Sequence, residues 1–456
     1  KMGKMRLNWT SVVVFIIAVA VLTATAISLR KWQRRRMAYE SLETGLKAYK
    51  NHIWEDAAKN LGRYIAVDRS DIQILLKYAD AQLNIRPLGQ NNVRQAIETY
   101  RSILRIDKHN VTAAEKLIGL YLETGVPAEA ELIAGRFLQN SSDPKIRQLL
   151  AESMASQRKF SQAQAQLRTI IEEYPAQVQA YEALGLINET RPEDSSTTAE
   201  HWFDEAVKNN PSSAQALITR SAFYLRNKDN AKAVADLQEA EQLDLSDLSD
   251  RLRLASEYIE MDSFDKARMH LDKIRLQDTA NPMLWQIWAM LALKTESKKE
   301  MLEVARSGLK ELASEPWDFM PTATELFLCC GEFELAEDCI SRLKQKGFEP
   351  AVTEFFEGLL AESQGQDYKA IYHWRNAIQS GNKSEKVMLA LAAALSRFGD
   401  RQSAVLYLRQ LVSEQPNLLQ GHLELARLLS LEGNWTEAAE QGRLAVQIAP
   451  GNLDAV

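Results

Sequence analysis

The sequence predicts an all-α fold, a solenoid of about twelve helical hairpins preceded by one transmembrane helix, and two observations predict it. The stretch from Trp9 to Leu29 runs for 21 residues without a charge. At 1.5 Å per residue that is enough helix to cross a hydrocarbon core of ~30 Å. From residue 38 onward an alanine returns near the start of the second of two amphipathic helices. It stands at Ala57, Ala96, Ala130, Ala163, Ala199, Ala233, Ala267, Ala336, Ala370, Ala404 and Ala438, with Met301 in the one gap, and the commonest spacing is 34 residues. Such self-similarity is the mark of stacked supersecondary units.

Four segments follow in order: a basic flank (1–8), the apolar span (9–29), a basic juxtamembrane segment (30–37) and the repeats (38–456). Trp9 and Trp32 bracket the span as interfacial anchors, with Arg34, Arg35 and Arg36 behind them. The competing reading is a cleaved signal peptide ending near Ala24-Thr25-Ala26. The basic run after that site opposes export, because cationic flanks stay on the cytoplasmic side. Five basic residues after the span against three before it place the solenoid in the cytoplasm and the protein in a bacterial inner membrane, by a small margin. A chain that starts at Lys1 would lack any charges that precede it.

Each repeat carries more than its alanine. Glycines stand five residues earlier at Gly125, Gly331, Gly365, Gly399 and Gly433, where a left-handed residue closes the first helix. Small residues recur in the first helix at Gly45, Ala79, Ala151, Gly185, Ala255, Ala289, Gly358, Ala392 and Ala426, and an aromatic precedes the second helix at Trp54, Phe160, Phe264, Phe333 and Trp435. This pattern resembles the tetratricopeptide repeat over about twelve units. Departures are insertions near Ile85–Asn92 and Arg191–Ser196, and the unit at 282–316 with Met301 and Gly308. Residues 451–456 look like the opening of a thirteenth helix.

The resemblance implies a right-handed superhelix in which first helices line a concave groove that takes partner proteins or peptides. Register then places Glu115, Glu123, Glu152, Glu182 and Glu189 on the groove's N-terminal part. On its C-terminal part it places Ile218, Leu225, Leu252, Ile259, Met290, Leu293, Leu328, Phe355 and Leu359. The plain alternatives are a solvated face for the first set and packing between repeats for the second. The Lys and Asn of a peptide-carboxylate clamp are missing, since Leu42 and Leu46 stand there.

Composition agrees with a folded chain: 46% hydrophobic, 25% charged, with only 19 Gly and 12 Pro in 456 residues. Residues 1–36 hold eight bases and no acid, leaving 47 Lys and Arg against 61 Asp and Glu in the rest. An acidic body releases no counterions from phosphate, so nucleic acid is not an expected partner. Cys329, Cys330 and Cys339 have no metal-ligand spacing, and Cys330 and Cys339 read by register as small core residues, as Trp285 and Trp288 read as large ones. No phosphate loop, nucleophile elbow or paired metal ligands appear, so neither catalysis nor a cofactor is expected. Two functions remain: a membrane-anchored scaffold, in envelope assembly or protein quality control, and a structural subunit that self-associates by solenoid stacking.

Overall fold

The computed structural model describes the backbone of residues 9–191, 197–243, 245 and 247–449, and the side chains of the same residues except 9–21 and 24. Among them are twenty-four α-helices and no strand. Consecutive helices pair as hairpins: α1 (Trp9–Lys50) with α2 (Trp54–Ile65), α3 (Ile72–Asn84) with α4 (Gln90–Ile106), α5 (Val111–Glu123) with α6 (Pro127–Leu138), α7 (Pro144–Ser156) with α8 (Phe160–Glu173), and α9 (Val178–Thr190) with α10 (Ala199–Asn209). After α11 (Ala214–Arg226) and α12 (Asn230–Ala240) come α13 (Leu248–Glu260) with α14 (Phe264–Arg275), α15 (Pro282–Lys294) with α16 (Lys298–Glu311), and α17 (Met320–Cys330) with α18 (Phe333–Lys346). The last are α19 (Pro350–Ser363) with α20 (Asp367–Gln379), α21 (Glu385–Phe398) with α22 (Arg401–Glu414), and α23 (Leu419–Leu431) with α24 (Trp435–Ile448). The chain forms two compact units, residues 1–223 and 224–456.

The recurring alanine is where the two helices of a hairpin nest. Ala57, Ala96, Ala130, Ala163, Ala233, Ala267, Ala336, Ala370 and Ala404 are fully buried, and Met301 and Ala438 nearly so. In most units a larger side chain sits four residues on, the exceptions being Ala134, Ala305 and Gly442, and the small residue of the first helix makes room for it. A Cβ on Gly45 would lie 2.9 Å from Leu61 Cδ2, one on Gly185 would lie 2.4 Å from Phe203 Cε2, and one on Gly358 would lie 2.3 Å from Trp374 Nε1. Real side chains do not approach so closely, so glycine is the residue that lets these helices meet. Ala199 departs from the others in its burial alone. It opens α10 and is only half-buried, and Trp202, Phe203 and Ala206 carry the packing of that helix instead.

The turn inside each hairpin is also one repeated device. Gly125, Gly331, Gly365, Gly399 and Gly433 have φ between 71° and 97°, and at the same register His52, Arg158, Lys228, Asp262 and Glu296 have φ between 50° and 62°. The next residue's N–H closes back on the first helix, as in Val126 to the Tyr121 carbonyl (2.8 Å), Lys159 to Met154 (2.9 Å) and Asp400 to Leu395 (2.9 Å). This is the Schellman arrangement, and it satisfies carbonyls that the helix end would leave orphaned. Where sequence shows no glycine, the hydrogen bond holds an L-residue in the left-handed region.

The described part of the N-terminus is one continuous helix across the boundaries drawn at residues 29 and 37. Helix α1 runs without a break from Trp9 to Lys50 and would measure roughly 63 Å at 1.5 Å per residue. Its last turns belong to the first hairpin, where Ala38 and Ala48 are buried. Among the described residues no helix is long and apolar enough to cross a membrane. The side chain of Trp9 and those of much of the apolar run lie outside the described residues. Trp32, Arg34, Arg35 and Arg36 are exposed, with Arg36 pairing to Glu40 at 3.1 Å and stacking over the Trp32 ring at 5.8 Å. The end residues 451–456 and the insertion at 192–196 also fall outside the described residues.

The turn geometry predicts an asymmetry between substitutions. Gly399→Ala, at φ 97°, should destabilise the fold by about 1 kcal/mol, because a Cβ is strained in the left-handed region. Arg158→Gly relieves strain of similar size but loosens the unfolded chain by roughly 0.5–1 kcal/mol, so its net effect should be near zero. Urea unfolding of the two variants measures both.

A mixed-charge groove on the first helices

Within residues 1–223 the first helices of successive hairpins lie side by side, α5 against α7 and α7 against α9. Side-chain caps set where two of them begin. The Asn110 carboxamide oxygen accepts from the Ala113 N–H (3.0 Å) to start α5, and the Asp143 carboxylate accepts from Lys145 and Ile146 N–H (2.9 and 3.1 Å) to start α7. Spacing then aligns Glu115, Gly119 and Glu123 along one stripe of α5, and Lys145, Gln148, Leu149 and Glu152 along one stripe of α7. Together with Arg86, Lys116, Gln177 and Gln179 these residues line an open cleft of about 600 Å³.

Three of the five predicted acidic residues therefore meet in one place, Glu115, Glu123 and Glu152. Glu182 and Glu189 are half-buried on α9 and do not line it. The groove is also not acidic as a whole. Lys116 and Lys145 are exposed and form no ion pair among the described residues, and Arg86 donates to the carbonyls of Leu83 (2.8 Å) and Ile85 (3.3 Å). Sequence reasoning missed these three cations and the glutamines. The signal was present in Lys116, one residue beyond Glu115, but that position is not one the register assigns to the groove. The Glu152 carboxylate has a single hydrogen bond among the described residues, from Gln148 Nε2 at 3.1 Å. Burial raises its carboxyl above the ordinary glutamate range, and the Gln148 bond only partly offsets that.

The apolar set on residues 218–359 is placed otherwise than expected. Ile218 and Ile259 are fully buried, and Leu252 and Leu328 keep less than a tenth of their surface in water, so these four offer little to a partner. For Leu252, Ile259 and Leu328 the reason is the side-by-side packing of first helices, α13 against α15, α15 against α17 and α17 against α19, which takes up the face that the register assigned to the groove. Leu225, Met290, Leu293, Phe355 and Leu359 are half-buried. Phe355 and Leu359 pack against the core built on Trp374, Val387 and Leu391.

Trp285 and Trp288 are core residues as expected. They stack at 5.9 Å, and their indole N–H groups donate to the Thr279 carbonyl (2.8 Å) and Glu300 (3.1 Å). Of the cysteines only Cys339 is core. Cys330 is half-buried, which corrects its reading as a core residue, and Cys329 is exposed. Glu354, Glu357 and His373 bring ligand-type atoms within 4.8 Å of one another. Lys344 pairs with Glu357 at 2.5 Å and His373 Nδ1 lies 2.7 Å from Glu354, so the cluster already holds its own cation.

The tetratricopeptide repeat family matches residues 149–195, 196–247 and 389–452. No curated protein sequence matches the chain. Among solved structures, yeast Tom70 is similar at 14% identity over 92% of this chain and 93% of its own, with a TM-score of 0.47. The human IFIT1 dimer with PPP-AAAA is similar at 16% identity over 83% and 91%, with a TM-score of 0.40. A tetratricopeptide repeat protein from Parabacteroides merdae is similar at 15% identity over 55% and 98%, with a TM-score of 0.39. At these scores the structural likenesses add nothing to the argument from the repeats.

Two outcomes follow for this part of the molecule. Because the folded pKa of Glu152 is raised, its ionisation above the unfolded value opposes folding. Glu152→Gln should raise the melting temperature at pH 7, and the gain should vanish as pH falls below the ordinary glutamate value of 4.5. Burial pushes the Cys339 thiol up to about 11, and partial burial also raises the Cys329 thiol, but the Cys329 side chain is exposed to solvent. A maleimide at neutral pH should label Cys329 in the folded protein and reach Cys339 only after denaturation, as read by peptide mass spectrometry.

Proposed function

From a chain that carries tetratricopeptide repeats, we propose a protein-interaction scaffold that is held at a membrane by residues 9–29 and receives partner segments along its first helices. Proteins with such repeats generally act by binding other proteins. The observation that supports the reading here is the cleft of about 600 Å³ in which Glu115, Glu123 and Glu152 alternate with Lys116 and Lys145 beside the amides of Gln148, Gln177 and Gln179. Both charge signs and neutral donors face the same space, which suits an extended peptide whose backbone and mixed side chains need partners of each kind. Fixed charges at its rim favour specificity over raw affinity. The membrane attachment rests on the uncharged run from Trp9 to Leu29 and its basic flanks. The cytoplasmic side for the repeats and a role outside catalysis belong to the same proposal.

Photo-crosslinking from Gln148 in the full chain, in native membranes, tests the groove. Defined partner adducts are expected, and combined Lys116→Gln and Lys145→Gln should weaken them by about 1 kcal/mol in total, as exposed charges do. Adducts that are equally abundant from exposed Lys299, on the second helix α16, would overturn the groove. Alkaline washing of the membranes tests the anchor: the chain should stay with the lipid, with an intact mass that includes residues 9–29. A mature N-terminus at Ile27, or release into the wash, would overturn it.

A further inference from the structure

The second helices of two hairpins in residues 1–223 frame another cleft, of about 900 Å³, between α4 and α6. Its floor is apolar, made by Leu104 from α4, Leu117 from α5, and Leu132, Ile133 and Phe137 from α6. Leu117 and Phe137 are core residues, but Leu132 keeps 44% of its surface in water. At one end the rim is balanced, because Arg101 pairs with Glu129 at 3.2 Å and stacks over Tyr121. At the other end, where α4 and α6 both finish, Arg105, Lys108, His109 and Arg136 are exposed, and the three Arg and Lys cations have no ion pair among the described residues. Glu98 is the one further carboxylate on the rim. This local excess of positive charge stands on a body in which acids outnumber bases by 61 to 47.

We propose that the cleft between α4 and α6 is a second docking site, for an amphipathic helical segment of a partner protein with an apolar stripe and a cluster of carboxylates at one end. The groove between two helices suits a third helix laid along it, with side chains at i, i+3, i+4 and i+7 reaching Leu104, Leu132 and Ile133. Charge complementarity fixes the direction, since the partner's carboxylates gain only at the end where Arg105, Lys108 and Arg136 lack partners. The site lies on the second helices and does not rest on the first-helix groove, so either can fail alone.

The probe is a fluorescent synthetic peptide, helical, with leucines at those spacings and glutamates clustered at one end, titrated against the full chain in detergent micelles. Binding should weaken with salt and weaken at least about tenfold for the same peptide with glutamine for glutamate. Arg105→Glu with Arg136→Glu should lose at least about tenfold, as should Leu132→Asp. All three positions are exposed, so helicity and melting temperature should not change. Lys116→Gln with Lys145→Gln, in the other groove, should bind the probe as the parent does. Equal binding of both peptides would overturn the proposal. So would an unaffected Arg105/Arg136 variant, or charge-sensitive binding of anionic vesicles or an RNA oligonucleotide with none of the peptide.

Discussion

The structure depends on how closely two helices of a hairpin can approach. Where Gly45, Gly185 or Gly358 faces Leu61, Phe203 or Trp374, there is no room for a single methyl group. That contact fixes the separation of the helices, and the left-handed residue at the turn fixes their direction. Neither device stabilises a hairpin by itself. Each unit keeps an apolar face open until its neighbour covers it, so the repeats fold as arrays. In residues 224–456 the result is a core that runs from Trp374 through Val387 and Leu391 to Leu408 and Leu425, shared by hairpins that individually have no interior.

What remains for recognition is whatever this stacking leaves uncovered. On the first helices of residues 72–190 it leaves charged and amide side chains, because α5, α7 and α9 put small and aliphatic residues against one another and glutamates and lysines outward. On the first helices further along it leaves less, since Ile218, Leu252, Ile259 and Leu328 are taken into the packing. Between α4 and α6 it leaves an apolar trough open at Leu132 with cations at one end. The same rule of nesting thus produces three different surfaces, according to which side chains each turn of helix had to spare.

The fold was legible in the sequence because it is written twelve times, and no single substitution hides a 34-residue period. The turns were half legible. Gly125 and Gly399 announce a left-handed residue, whereas Arg158 and Lys228 adopt the same geometry under hydrogen-bond constraint and carry no compositional mark. At Ala199 the helix starts three residues later than in its neighbours, so that alanine is half-buried while Phe203 and Ala206 keep the register. The site was less legible for a physical reason: helical periodicity gives the face of a helix and not what stands opposite. Glu115 and Ile218 have equivalent register, yet the one is at a cleft and the other fully buried. Charge averaged over the chain likewise concealed Arg105, Lys108 and Arg136, whose clustering comes from bringing the ends of α4 and α6 together.

The constraint on helix approach can be measured against a control in the same chain. Gly358→Ala places a Cβ 2.3 Å from Trp374 Nε1, the group that donates to the Phe355 carbonyl, whereas Gly135 has nothing within 4 Å of the corresponding position. By denaturant unfolding, Gly358→Ala should destabilise residues 224–456 by about 1–3 kcal/mol. Gly135→Ala, in the open helix α6, should stabilise the fold by roughly 0.5–1 kcal/mol. If both substitutions stabilise the protein alike, the helices are not held at the separation that glycine allows, and the account of the hairpin is wrong.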